Sequence, residues 1–158
     1  MGILKGELPG KVVALRADID ALPVTERTDV PFKSTVRTTF NDVETGVMHA
    51  CGHDVHITSL VGTAKLMADR KEQWSGTLML LGQPAEERVA GARVMMEDGL
   101  WDRVGQPDFA MAFHVTSALP TGSIAAPPTA AYSGADTVDI MIKGIGAHGA
   151  SPHTGVDP

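Results

Sequence analysis

At 158 residues the chain is long enough for one domain with a real core and too short for two full ones. Thirteen lysines and arginines against nineteen aspartates and glutamates give a net charge of −6, and no basic cluster exceeds "DRK", which argues against a nucleic-acid or anionic-membrane surface. No apolar stretch approaches the roughly 20 residues that cross a bilayer. The start "MGILKGELPG" lacks a secretory plan, and one cysteine cannot close an intrachain disulfide, so a soluble, cytoplasmic protein is expected.

In chain order, residues 11–17 are apolar and β-rich and predict a buried strand stopped by Pro23, with Asp18 and Asp20 at its carboxyl end. Residues 24–47 are polar and Thr-rich without a clear period and predict an irregular loop. From Asp54, the expected N-cap, apolar residues at 57, 60, 61, 64 and 67 predict a helix. "SGTLMLLGQP" (75–84) predicts a second buried strand, and "AGARVMMEDG" (90–99) a short helix with Gly99 as its C-cap. "PDFAMAFHV" (107–115) predicts a third strand and "GSIAAPP" a shorter fourth. Strands and helices that alternate, with continuous apolar strands, indicate an α/β fold with a mainly parallel sheet flanked by helices. The alternation of "DTVDIMIKGIG" (136–146) predicts a half-exposed strand, and Pro158 sits where a helix would begin. A boundary near residue 128 is expected, with 1–128 one domain and 129–158 the start of a second, cut-off domain.

Ligands of open α/β sheets bind at the carboxyl ends of the strands. Asp18 and Asp20 follow the first strand; His49, Cys51, His53 and Asp54 precede the first helix; Glu86 and Glu87 follow the next strand; His114 ends the third. Metal-type residues thus converge on one edge from separate parts of the chain. Cys51 and His53 alternate, so in an extended segment they face one way, and a thiolate with an imidazole suits zinc or another late first-row ion. A mixed N/O/S set with carboxylates fits a catalytic site with an open position better than a closed structural one. In "PAEE" a turn after Pro84 lets one carboxylate bind metal while the other stays free as a general base, the arrangement that amide hydrolysis by a metal-activated water requires. Singly, each residue has an ordinary reading: Cys51 as a small buried hydrophobe, His114 as a core histidine, the glutamates as a solvated helix start, the aspartates as turn caps. Together those readings require a coincidence at one sheet edge. A nucleophilic Cys–His hydrolase explains Cys51 but leaves the glutamate pair idle.

The segments "ALRADIDALPVTE", "MHACGHDVH", "GQPAEE…GA", "FHV…LPTGSIA" and "IKGIGAHGASPHTGVDP" resemble, in order and spacing, the metal-dependent amidohydrolases of the aminoacylase, hippurate hydrolase and indoleacetyl-amino-acid hydrolase group. The resemblance implies a zinc-exopeptidase-like catalytic domain followed by the start of a truncated α+β lid or dimerisation domain. It implies Cys51, His53, Glu87 and His114 as ligands of two divalent ions (Zn, Mn, Co or Ni), Glu86 as general base and Asp20 as a group that orients a ligand imidazole. It further implies that His148 stabilises the oxyanion, often across a subunit interface. The expected substrate is a small N-acyl amino acid, with a dipeptidase of the same architecture or an inactive metal-binding fragment as alternatives. The full-length protein is expected to be a homodimer or homotetramer. The family carries a further metal-binding histidine near its C-terminus, beyond the last residue of this chain.

Overall fold

The computed structural model describes residues 1–136 and 138–156, in two compact units, Met1–Ser123 and Ile124–Pro158. The first unit is built on a four-stranded sheet. Its strands are β1 (Gly2–Lys5), β2 (Leu8–Asp18), β5 (Ser75–Gln83) and β6 (Phe109–Ala112), in the order β1-β5-β2-β6; β3 (Arg37–Phe40) and β4 (Val43–Gly46) pair separately as a hairpin. β2 runs parallel to both β5 and β6, while β1 closes the edge antiparallel to β5. The mainly parallel sheet follows from the two long apolar runs, each with α1 (His53–Ala68), or α2 (Gly91–Glu97) and α3 (Leu100–Val104), in the connection that follows. Buried Ala14, Met79 and Leu81 make the centre of the core, against which Leu100, Trp101 and Val104 pack. No helix among the described residues is long and apolar enough to cross a membrane.

The topology places the site. The chain leaves β2 toward β5 on one side and later returns to β6 on the other, so the connections diverge above the carboxyl end of β2, where open α/β sheets form a crevice. Ile19 N–H still donates to Gln83 (2.9 Å), and Leu22 then pairs with Met48 through two hydrogen bonds of 2.9 and 3.1 Å. That bridge returns residues 49–53 to the rim they share with Asp18 and Asp20.

Several expectations change. Residues 24–47 are not wholly irregular: Arg37–Phe40 and Val43–Gly46 form a hairpin whose two turn residues, Asn41 (φ 50°) and Asp42 (φ 61°), take the left-handed conformation of a tight two-residue turn. Helix α1 begins at His53, not after Asp54. Gly52 (φ 81°) occupies the cap position with no side-chain cap, and Asp54 lies inside the first turn, where the helix dipole favours its charge. α2 ends at Glu97 with Asp98 as its C-cap, and Gly99 (φ 79°) follows as the left-handed residue. The third strand is short, Phe109–Ala112, and leaves Phe113–Val115 beyond the ladder.

The fourth strand expected at 122–128 is absent among the described residues, since Pro127 and Pro128 have no N–H to give a ladder. In the second unit the described part of 136–146 forms no strand. Only Ile145 pairs, in an isolated bridge with Val156, beside a single 3₁₀ turn at Pro152–Thr154; an alternating pattern without a neighbouring strand to pair along does not make a sheet. Thr137 and the expected helix start at Pro158 lie outside the described residues.

Candidate metal centre

Among the described residues, the three bulkiest fully buried side chains are polar: His53, His56 and Asp18. Buried polar groups cost free energy unless each is partnered, so their hydrogen bonds decide what each can do. His53 opens α1, and its Nδ1–H donates to the main-chain carbonyl of Asp20 (3.0 Å) with Asp20 Oδ1 at 3.2 Å. Its Nε2 is left as a bare lone pair, buried and without a hydrogen-bond partner. Around that nitrogen stand Glu87 Oε1 at 3.7 Å, Glu86 Oε2 at 3.8 Å and Asp18 Oδ2 at 3.6 Å, all too far to be hydrogen bonds.

Cys51, two residues earlier, lies with its Sγ 3.4 Å from Nε2 of His114. Gly52 between them is forced: its φ of 81° disfavours a side chain, and a Cβ there would sit 2.4 Å from Cγ2 of Val115. His114 Nδ1 donates to the Val115 carbonyl (2.7 Å), which leaves Nε2 as its acceptor face toward the sulfur. The two glutamates come from a 3₁₀ turn, Glu86–Arg88, bracketed by two left-handed residues, Ala85 (φ 51°) and Val89 (φ 52°). Left-handed backbone is costly for a β-branched residue such as Val89, and the turn is stapled by hydrogen bonds from Ala90 and Gly91 to Ala85 O. This geometry lets consecutive glutamates both reach the same imidazole. Asp20 Oδ2 accepts the N–H of Glu87 (3.1 Å), so one aspartate steadies both the histidine and the glutamate turn.

Three groups of side chains come within ligating distance of one another: Cys51/His53/His114, His53/Glu86/Glu87 and Asp18/His53/His56. Hydrogen bonding separates them. In the third, Asp18 Oδ1 accepts from His56 Nδ1, Asp18 Oδ2 accepts from Arg16 Nη1 (2.9 Å), and His56 Nε2 accepts the N–H of Val115 (3.0 Å). Those atoms are occupied by the protein itself. The first two groups share the unpartnered Nε2 of His53 and supply a sulfur, a second imidazole and two carboxylates. That donor set fits a late first-row divalent cation, and an imidazole whose far nitrogen is held by a carbonyl is how such ligands are oriented.

The electrostatics agree. Burial raises the Cys51 thiol above its ordinary range, and the neighbouring carboxylates of Glu87, Glu86 and Asp18 raise it further. Without a cation the site keeps the thiol protonated, and loading one must displace that proton. Asp18 behaves oppositely: burial alone would raise it, but the His56 hydrogen bond and the Arg16 guanidinium hold it below the usual carboxylate value.

The structure therefore brings Cys51, His53, Glu86, Glu87, His114 and Asp20 to one rim. His49 is nearby but donates from Nδ1 to the Asp20 carbonyl (3.0 Å). Asp54 sits on the exposed face of α1. His148 belongs to the second unit, where its Nδ1 accepts from the N–H of Ala150 (3.2 Å). Asp18 and His56 form a buried pair beneath the centre that the sequence reading did not connect. The available signal was spacing, for His56 is three residues after His53 and so lies on the same helix face.

Residues 14–155 match the sequence model of peptidase family M20/M25/M40. Thermostable carboxypeptidase 1 of Saccharolobus solfataricus is 42% identical over 160 residues, covering 100% of this chain and 38% of its own length. N-acetylcysteine deacetylase of Bacillus subtilis is 41% identical over 155 residues, covering 98% of this chain and 38% of its own. The crystal structure of the Bacillus subtilis YXEP protein, described as a dinuclear metal binding peptidase from the M20 family, superposes with a TM-score of 0.65 at 43% identity, over 76% of this chain and 31% of that one. The chain thus spans 38% of the length of these two curated relatives.

Proposed function

We propose, since the chain belongs to peptidase family M20/M25/M40, that it supplies the metal centre of an amidohydrolase that cleaves the amide bond of N-acyl amino acids of the hippurate or N-acetyl type. The observation that carries the reading is the buried, unpartnered Nε2 of His53 facing a thiol, an imidazole and two carboxylates. On this reading Cys51, His53, Glu87 and His114 hold the cations. A pair of divalent ions of the zinc, manganese, cobalt or nickel type would polarise the acyl carbonyl and lower the pKa of the attacking water.

The remaining chemistry belongs to side chains. Glu86, more exposed than Glu87 (38% against 24%), takes the proton from the attacking water and passes it to the departing amine nitrogen as the C–N bond breaks. Asp20 holds the His53 ring in the form that leaves Nε2 bare, and keeps Glu87 in place through its N–H. His148 is assigned the oxyanion, as a donor to the tetrahedral oxygen. The resemblance to an acetyl-amino-acid deacetylase supports an acylated amino acid as substrate, whereas the carboxypeptidase among the relatives favours a second reading, a peptide or dipeptide.

The full-length protein, loaded with Mn(II), Co(II) or Zn(II), is expected to release free amino acid from hippurate or N-acetyl amino acids, to stop on chelation and to recover when metal is restored. Faster release from dipeptides than from any acylated amino acid selects the second reading. No cleavage of either class by metal-loaded protein contradicts both.

A further inference from the structure

We propose that His56 is a positioning residue for this centre: held in one tautomer by Asp18, it grips the backbone of Val115 and so sets the neighbouring His114 ring against Cys51. The inference rests on the reading of Cys51, His53, Glu87 and His114 as a cation-binding set.

The tautomer follows from the partners. A main-chain N–H can only donate, so His56 Nε2, 3.0 Å from Val115 N, must be the bare acceptor nitrogen. The proton of the neutral ring then sits on Nδ1 and points at Asp18 Oδ1. Asp18 can serve as a fixed acceptor because Arg16 secures its other oxygen (2.9 Å) and Arg16 Nε is in turn anchored on Gln83 (2.8 Å). Strand β2, strand β5 and helix α1 are thereby joined to one ring.

That ring acts where the sheet no longer does. The β2–β6 ladder ends at Arg16–Ala112, two residues before His114. Past it, His56 meets each of the next three residues: its ring lies edge-on to Phe113 (5.2 Å between centroids) and to His114 (4.7 Å), and its Nε2 accepts from Val115. The Val115 carbonyl takes the Nδ1–H of His114 (2.7 Å), which turns Nε2 of that ring toward the Cys51 sulfur. Seated three residues after His53 on α1, and stacked on it at 5.3 Å, His56 references His114 to the helix that carries the other imidazole. His53, His56 and Asp18 are almost wholly shielded from solvent, where a hydrogen bond is strong and geometry is tightly held.

Two substitutions divide the ring's functions. In His56→Gln the carboxamide oxygen reaches the place of Nε2 and still accepts Val115 N–H, but Asp18 loses its donor. In His56→Asn the carboxamide nitrogen reaches the place of Nδ1 and still serves Asp18, but Val115 N–H is abandoned. Co(II) is the probe, added to the full-length protein, with affinity from chelator competition and ligand geometry from the visible absorption spectrum. Loss of an outer partner of a metal ligand weakens binding about 10–100-fold, and His56→Asn is expected to fall in that range with an altered spectrum. His56→Gln, which keeps the grip on Val115, is expected to stay within ~3-fold of the parent with its spectrum preserved.

Equal effects of the two variants, or unchanged affinity and spectrum in both, overturn the proposal. A second measurement needs no substitution: long-range ¹H–¹⁵N correlation of the histidine rings in the metal-free protein is expected to show His56 protonated on Nδ1 and bare at Nε2. A proton on Nε2 overturns the proposal even if neither variant folds. The reading it rests on fails separately: unaltered protein that binds no Co(II) removes the centre itself, whereas a centre that responds as described without cleaving amides contradicts only the substrate.

Discussion

Replacing the freer glutamate, Glu86→Gln, is expected to leave the cation content unchanged and to lower kcat by about 10²–10⁴-fold, the contribution of a positioned general acid–base group. The amide has nearly the shape of the carboxylate and keeps the turn packed, but it cannot take a proton near neutral pH. Glu86 and Glu87 approach the same nitrogen of His53 at 3.8 and 3.7 Å, so geometry alone makes them near equals. What separates them is the company each keeps: Glu87 bears on the Cys51 thiol more strongly than Glu86 does and is held to Asp20 through its N–H, while the Glu86 side chain is the more solvent-facing. Glu87→Gln should accordingly reduce metal content as well as turnover. Metal analysis beside steady-state kinetics on an N-acyl amino acid checks the pair. Metal lost from Glu86→Gln and retained in Glu87→Gln would reverse the assignment.

The largest structural effect is expected from one methyl group. A Cβ at residue 91 would stand 1.5 Å from the carbonyl oxygen of Pro84, and that oxygen belongs to the backbone of the glutamate turn. Overpacking usually costs about 1–3 kcal/mol because a side chain can yield, and more where backbone must move. Here the residue after Pro84 is already left-handed, and Gly91 N–H is bonded to its carbonyl (3.2 Å), so the turn has no slack to give. Gly91→Ala should therefore destabilise the protein by ~3 kcal/mol or more and, in whatever folded fraction remains, displace Glu86 and Glu87 and weaken cation binding. Gly62→Ala is the matched control. It lies within α1 with nothing within 4 Å of the new methyl group, and should stabilise by about 0.5–1 kcal/mol through helix propensity. Urea unfolding of both variants measures the contrast. Gly91→Ala as stable as its parent would mean that the turn is not held as described.

What the sequence makes legible, and what it does not, divides along physical lines. The two strands that carry the sheet are readable because "KVVALRAD" and "TLMLLGQ" are continuous apolar runs ended by proline or charge, and α1 because its apolar residues recur at helical spacing. The convergence of Cys51, His53, Glu87 and His114 on one rim follows from a rule of topology, since all lie just beyond strand ends or ahead of a helix.

Strand β1 is not readable. Four residues, "GILK", have no period of their own, and they extend only because β5 offers them an edge. The β3–β4 hairpin carried a weak signal in "TTFNDVET", where Asn-Asp between β-formers marks a two-residue turn, but the polarity of the flanking threonines hides it. The Asp18–His56 pair is hidden for another reason. A histidine in the first turn of a helix reads as surface until the fold shows that it is sealed against Asp18 and the exit of β6.

In the proposed centre four side chains, from the approach to α1, its first residue, the glutamate turn and the exit of β6, close on divalent cations. Anomalous diffraction at the metal edge, from crystals of the cation-loaded protein, tests it directly. Density is expected at about 2.3 Å from Cys51 Sγ and about 2.0–2.2 Å from His53 Nε2, His114 Nε2 and a Glu87 oxygen. Metal found instead on Asp18 and His56, or nowhere near Cys51, would contradict it.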